Sequence, residues 1–491
     1  MSTTDVLIVG AGPTGLALAI WLTKLSIRVR ILDAAPLPAT TTRALAVQAR
    51  TLELYSQISP SLGALVASRS ARLTGPNIWV NGERRARVRF TDVATGTTAF
   101  PFIAVFPQDE HERLLTAELR ALGVDVERGV SLRTFTEAEG CVRATLERAG
   151  GEEERCQPRY VAGCDGAHSA VRRTMGVGFP GDTYEQTFYV ADVEASGPAM
   201  DGELHLRVDT HDFLGVFPLA QPGRAVAEMK LRDVQVRWFA TYRTHHRVAE
   251  RFRRGRAFLL GDAAHIHSPA GGQGLNTGVG DAVNLAWKLA AVVRGEAPDG
   301  LLETYEEERG RFARELVRTT DRAFTFMTSR GWLAGVLRTV MVRWVVPLLF
   351  RFKAVRRRAF HGLSQFVINY SGTALAGRSW SAGSVRAGER LPWVRIGEES
   401  NYESLAHIEW QLHVYGKAGE RLAAWCKEKS LRLTVMEWAP EHGEAGLVRD
   451  ALYLLRPDTY VALIDDKADT KTIEQYFAER QISLGSDRVR G

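Results

Sequence analysis

The first forty residues change period twice. Asp5-Val-Leu-Ile-Val-Gly10 is an unbroken apolar run that stops at glycine, the pattern of a short strand buried on both faces. Leu16 to Leu25 carries apolar residues at helical spacing, and Arg28 to Leu32 forms a second strand that ends on Asp33. Two further apolar strands, one beginning at Tyr160 and one at Arg256, run into Asp165-Gly166 and Gly261-Asp262, and each leads into a helix. Between these, Thr187 to Val193, Glu203 to Val208 and Phe213 to Phe217 alternate or are rich in β-formers, which predicts a sheet. A stretch rich in Gly, Ser, Arg and Pro from Thr373 to Val394 reads as a linker. After it, Ile408 to Tyr415 predicts a strand, Ala418 to Lys429 a helix and Leu431 to Trp438 a strand. Two apolar runs then flank Arg456-Pro457-Asp458, and Lys471 to Arg480 closes as a helix.

Composition narrows this picture. At 491 residues, 45% hydrophobic and 24% charged, the chain has ample core material, which excludes disorder and suggests about three domains. The net charge of +6 is too small over so long a chain to imply nucleic acid. Cys141, Cys156, Cys164 and Cys426 form no CxxC pair and no zinc spacing, which suits a reducing cytoplasm. No basic leader separates Met1 from the first strand, so a signal peptide is not expected. The most apolar window, Gly331 to Phe350, contains Arg338, Arg343 and Pro347, so a transmembrane segment is not expected there.

Three motifs carry chemistry. Gly10-Ala-Gly12-Pro13-Thr14-Gly15 sits between strand and helix, with Asp33 placed 23 positions after Gly10. In this βαβ setting Gly10 permits the turn, Gly12 lets a pyrophosphate approach the backbone and Gly15 lets helix and strand pack closely. The helix N-terminus offers an anion site, and Asp33 an acceptor for an adenosine ribose. This motif alone does not separate NAD from FAD. Gly261-Asp262-Ala-Ala-His265-Ile-His-Ser-Pro269 leads through Gly272 and Gly274-Leu275-Asn276 into a long helix with Asp281, Asn284, Trp287 and Lys288. An Asp at a strand end can accept from a sugar hydroxyl, and bare amides at a helix start suit negative charge. Cys164-Asp165-Gly166 with Ser169, Arg172 and Arg173 lies between the two.

In order and spacing these three motifs resemble the fingerprints of single-component FAD-dependent aromatic hydroxylases, the family of para-hydroxybenzoate and phenol hydroxylases. Trp238, Tyr242, Arg243 and the Tyr305 to Arg309 stretch extend the likeness to about residue 375. The resemblance implies an α/β chain: a discontinuous Rossmann-like FAD domain over 1–180 and 250–375, an inserted β-sheet substrate domain over 181–249, and a thioredoxin-like domain without CxxC over 395–491. It implies FAD as cofactor and NADPH or NADH as transient co-substrate. The reduced flavin captures O2 as a hydroperoxide and passes one oxygen to a phenolic or polycyclic aromatic, polyketide-like substrate. By the family pattern Gly10, Gly12, Pro13, Thr14 and Gly15 hold the pyrophosphate, Asp33 the ribose and Asp262 the ribityl chain, while Arg43 and Gln108 line the FAD. Asp165 serves FAD packing and nicotinamide access. Gly272, Gly274, Leu275 and Asn276 place backbone amides at the pyrimidine edge, where donors aimed in advance stabilise charge, and Pro269 faces the ring.

The candidate polar groups of the substrate pocket are Tyr184, Tyr189, His205, His211 and Tyr242, and none is singled out as a catalytic base. Leu219 to Arg237 is shorter than the corresponding family segment, which implies either a trimmed substrate region or a piece missing from the sequence. The chain has one GxGxxG, so no separate NADPH domain is expected, and the WxWxIP segment of flavin halogenases is absent. Baeyer-Villiger oxygenation or epoxidation on the same fold, or a flavin-binding protein without catalysis, are the alternatives. The basic run from Arg338 to Arg358 is read as a helix packed on the FAD domain with a solvated cationic edge, a membrane-surface helix being the other reading. The thioredoxin-like tail supports packing or a homodimer.

Overall fold

The computed structural model describes residues 4–484 apart from 39–43, 81, 198, 209–212, 220–223, 227–231, 269–271, 329–334, 336, 338–339, 378 and 381–382. Three of the expected site residues, Arg43, His211 and Pro269, lie outside the described residues, as does the side chain of Tyr242.

The core is a six-stranded sheet whose spatial order is Arg253–Arg254, Ala257–Leu259, Tyr160–Gly163, β1 (Val6–Val9), β2 (Val29–Asp33) and Val126–Arg128. All neighbours are parallel except the first pair, which is a hairpin. Val6 stands between Tyr160 and Val29, so β1 is central, and all four of its residues are buried. An uninterrupted apolar strand is what a doubly covered parallel sheet requires. The helix α1 (Pro13–Lys24) and the helix Gly274–Val293 pack against each other over this sheet. Eight consecutive residues of α1, Gly15 to Leu22, are buried, so its apolar positions run all round rather than along one stripe.

An eight-stranded sheet stands beside this core, in the order His265–Ile266, Arg232–Val248, Gly181–Ser196, Arg224–Val226, Phe213–Pro218, Leu204–Val208, Pro76–Val80 and Glu83–Arg87. Its outer two strands come from the first hundred residues, and Leu204–Val208 pairs in parallel with Pro76–Val80. The long antiparallel pair of Gly181–Ser196 with Arg232–Val248 stands next to its His265–Ile266 edge. This sheet ends on His265–Ile266, immediately after the Gly261–Ala263 turn, so sheet and fingerprint are directly joined.

The last hundred residues form a βαβ unit, Gln411–Tyr415, Glu420–Glu428 and Arg432–Met436, then the antiparallel pair Leu452–Leu455 and Val461–Asp465 and the helix Thr470–Glu479. This is the thioredoxin-like order read from the sequence. The stretch read as a linker is instead a packed strap: the Gly377 and Gly388 amides donate to the Ala462 and Val461 carbonyls, and Leu375, Val385 and Leu391 are buried. Glycine and proline marked irregular backbone there, which composition cannot distinguish from a free tether.

Candidate functional site

The glycine turn is made by contact with the second motif. Gly10 has φ of +103°, and a methyl group there would lie 2.4 Å from the Cys164 carbonyl oxygen. At Gly15 a methyl would lie 2.0 Å from the Gly10 carbonyl oxygen, whereas nothing comes within 4 Å of one at Gly12. Gly10 and Gly15 are therefore filled against the fold, and Gly12 alone presents bare backbone to open space. Gly12 caps α1 with no side-chain hydrogen bond, Pro13 opens the helix, and no acid stands in its first turn. Its first amides and the positive end of the helix dipole are left for an anion.

Thr14 brings the first and third motifs together. Its hydroxyl oxygen occupies the space that methyls at Gly261 and Gly278 would take, at 2.8 and 2.2 Å. Asp33 accepts from the Ala11 and Ala35 amides, both at 2.8 Å, and so closes the loop after β1 onto the end of β2. Each carboxylate oxygen retains a lone pair for a further donor. Gln108 begins the Gln108–Ala121 helix, accepts from the Ala44 amide at 3.2 Å and donates to Glu112 at 2.8 Å.

Ser169 caps the Ala170–Met175 helix, and one oxygen of Asp165 accepts from the helix's first amides, those of Ala170 and Val171, at 2.6 and 3.1 Å. The other oxygen has no partner among the described residues. Arg172, from the same helix, donates to the Ala263 carbonyl at 2.7 Å and so clamps the second motif onto the third.

Asp262 differs from both. Among the described residues no donor reaches its carboxylate, its side chain is exposed, and the protein packed around it pushes its pKa up by desolvation. The turn that carries it is pinned from behind. Asp281 accepts from the Gly261 amide at 3.0 Å and pairs with His265 at 2.6 Å, while its other oxygen takes the Arg309 Nε–H at 2.6 Å. Burial would raise Asp281, but Arg309 and His265 outweigh it and hold the carboxyl below its usual range. Arg309 also donates to the Thr277 carbonyl at 3.0 Å and the Tyr370 hydroxyl at 2.9 Å.

The Gly274–Val293 helix begins without a side-chain cap and without an acid in its first turn. Asn276 is fully used by the protein. It donates to the Ala46 and Gly272 carbonyls at 2.9 and 2.8 Å and accepts from the Gln48 amide and the Thr51 hydroxyl at 2.8 and 2.7 Å. Its side chain holds the loop, so only its backbone is left for a ligand. Leu275 packs partly buried against the core. His267 donates from Nδ1 to the Ser268 carbonyl at 2.7 Å, while its Nε2 and the Ser268 hydroxyl lack partners among the described residues. Burial lowers His267 to about 4, so it is a neutral imidazole with Nε2 as an acceptor. His267, Ser268 and the Asp281–Arg309 pair were not singled out from the sequence. The first two stand inside the third fingerprint, but no local signal couples residues 28 positions apart.

The pocket candidates separate. His205 is buried and satisfied on both nitrogens, accepting from Trp79 Nε1 at 2.9 Å and pairing with Asp201 at 2.7 Å. Tyr184 donates to Asp321 at 2.6 Å and lies against His246. Tyr189 is exposed and stacks on Phe239 with ring centroids 6.0 Å apart.

This arrangement has counterparts. A family described as FAD binding domain matches residues 3–227 and 219–320, two stretches that meet inside the short segment after Pro218. The chain is 32% identical to a 6-methylpretetramide 4-monooxygenase of Streptomyces rimosus over 519 residues, 96% of this chain and 92% of the relative. It is 32% identical to a flavin-dependent monooxygenase of Mycobacteroides abscessus over 517 residues, 96% of this chain and 99% of the relative. Among solved structures, the anhydrotetracycline hydroxylase OxyS of Streptomyces rimosus superposes with a TM-score of 0.78 at 27% identity, over 99% of both chains.

Proposed function

The chain belongs to the FAD-binding-domain family of single-component flavin monooxygenases, the aromatic hydroxylases, and on that membership we propose that it consumes NADPH or NADH and O2 to hydroxylate a phenolic or polycyclic, polyketide-like aromatic. It is an FAD-dependent monooxygenase. Among the described residues no helix is long and apolar enough to cross a membrane, and a cytoplasmic setting is part of the proposal.

The residues present fit FAD. The observation that carries this is that Thr14 packs the Gly10–Gly15 turn against Gly261 and Gly278, next to a Gly12 whose backbone is bare and an Asp262 whose carboxylate has no partner among the described residues. Bound FAD supplies the redox chemistry, accepting the nicotinamide's electrons and activating O2, of which one oxygen atom enters the ring and the other leaves as water. The chain's own groups bind and orient. Gly12 and the first amides of α1 receive the pyrophosphate, and Asp33 accepts from the ribose. Asp262 accepts from a ribityl hydroxyl, with Asp281 and Arg309 fixing the turn that presents it. The uncapped amides at Leu275 and Asn276 favour negative charge at the pyrimidine edge. Asp165, whose second oxygen is buried without a partner among the described residues, is assigned to FAD packing and nicotinamide access by family likeness. Arg43, Gln108 and Pro269 are assigned to the cofactor lining by family likeness.

The names of the relatives, a pretetramide and an anhydrotetracycline, support a fused-ring substrate. The terminal unit acts by packing, through the contacts of its Arg456 loop, and a homodimer is the second role the proposal gives it. The test is a screen for aromatic ligands that accelerate NADPH oxidation by the yellow protein. The expected product carries one added oxygen on the ring by mass spectrometry. A ring-inserted lactone would move the assignment to Baeyer-Villiger chemistry, and a protein that stays colourless after reconstitution with FAD would contradict the cofactor.

A further inference from the structure

From Arg322 to Gly388 the chain has eleven Lys and Arg and no Asp or Glu, so the remainder carries 52 cations against 57 anions. The whole positive excess of the protein is in this one segment. Of the thirteen large hydrophobic side chains that stand exposed among the described residues, seven fall between Leu337 and Phe352. Scattered exposed hydrophobics need no explanation, but a contiguous group of this kind does.

The group has helical spacing. Leu337, Val340, Trp344 and Leu348 follow one another at three or four residues and are 55%, 46%, 63% and 54% exposed, and Phe352, 59% exposed, stands in the turn between the Val346–Leu349 and Lys353–Leu363 helices. The opposite side is anchored: Val342, Val346 and Phe350 pack with Ile78, Val80 and Phe360. A basic helix packed on the body with its cations outward was the expectation, whereas the structure turns an apolar row outward as well. Arg351, Lys353, Arg357 and Arg358 are exposed at the end of that row, and the Arg343 guanidinium lies over the Trp344 ring at 5.4 Å.

We propose that the exposed side chains of Leu337, Val340, Trp344, Leu348 and Phe352, with the cations at Arg351, Lys353, Arg357 and Arg358, form a docking surface for an anionic lipid bilayer, the apolar side chains inserted and the cations at the headgroups. The surface is built from short helical pieces, Met341–Val345 running into Val346–Leu349 and, after a turn, Lys353–Leu363, an arrangement that can lie on an interface. Charge selects the occupant. A second copy docking through the same patch would bring like charges face to face across a twofold axis, with no carboxylate in the segment to pair them. A bilayer surface rich in phosphate offers the opposite sign over an apolar interior. The proposal is independent of which ring the site oxidises.

The test is co-sedimentation of the full-length, flavin-loaded protein with vesicles of phosphatidylglycerol and phosphatidylcholine in equal parts, against phosphatidylcholine alone. At least about tenfold more protein should pellet with the anionic vesicles at low salt, the difference shrinking as salt rises. Leu348→Glu and Trp344→Glu should each abolish pelleting while flavin content stays as in the parent, and Arg357→Glu with Arg358→Glu should remove the preference for anionic lipid. Equal, low pelleting with both vesicle types would overturn the proposal. So would a dimer in sedimentation velocity that Leu348→Glu splits in the absence of any vesicle binding.

Discussion

Arg456 of the terminal unit meets Glu308 of the FAD-domain segment through both guanidinium nitrogens, at 2.6 and 3.0 Å, with both side chains buried. Glu308 also accepts from Lys288 and Asn284 at 2.8 and 2.7 Å, and Asp458 accepts from Arg456 and from Trp287 Nε1. The Arg456-Pro457-Asp458 loop is thus a plug in the first two-thirds of the chain. Removing one partner of such a buried pair leaves an uncompensated charge, at a cost of about 3–5 kcal/mol. Arg456→Met should lower the stability of the whole protein by that order in urea denaturation. A transition confined to the terminal unit, with the rest unchanged, would refute the coupling.

Stability should fall in acid in two windows. Burial lowers His111 to about 4, so its native imidazole stays neutral where the unfolded one gains a proton. Its contribution is present above the ordinary value of 6.5 and is lost as pH falls toward 4. Burial would raise Glu308, but Arg456 and Lys288 outweigh it and hold the carboxyl at about 2, below its ordinary 4.5. That contribution is present above 4.5 and is lost as pH falls from there toward 2. Urea midpoints measured across these ranges should drop in both, and Glu308→Gln should flatten only the lower one.

Four of the six strands of the central sheet were legible because they are mainly apolar runs ended by glycine or an acid, a pattern buried parallel strands impose, whereas Val126–Arg128 and Arg253–Arg254 at its two edges carry charge and gave no such signal. The terminal unit was legible for the same reason. The packed strap at 373–394 was not, since its partners, Ala462 and Val461, lie some eighty residues away. Nor was the saturation of Asn276, whose four hydrogen bonds reach residues from 46 to 272. Periodicity reports which face is buried, while long-range polar pairing depends on topology and leaves no local trace.

Gly12 and Gly15 should respond differently to the same substitution. Gly15→Ala places a methyl 2.0 Å from the Gly10 carbonyl oxygen, an overpacking that costs about 1–3 kcal/mol or more. Gly12→Ala meets nothing within 4 Å and keeps an extended backbone at φ of −74°, so apoprotein stability should change by less than about 0.5 kcal/mol. Its methyl would instead stand where the pyrophosphate approaches. Thermal unfolding of the apoproteins and flavin-to-protein absorbance of the purified variants separate the two outcomes. Full flavin in Gly12→Ala would place the phosphate elsewhere.

Asp262 provides the complementary case. Because no described residue donates to its carboxylate, Asp262→Ala should leave the apoprotein's unfolding temperature unchanged. A hydrogen bond to a charged group contributes about 1.5–3 kcal/mol, so FAD should bind roughly ten- to a hundredfold more weakly. The loss should exceed that of Asp262→Asn, whose amide oxygen still accepts from a hydroxyl without the charge. Fluorescence titration of the apoproteins with FAD measures all three affinities. Equal affinity in parent and alanine variant would remove Asp262 from the cofactor site, while a fall in unfolding temperature without loss of FAD would make it a structural residue of the turn.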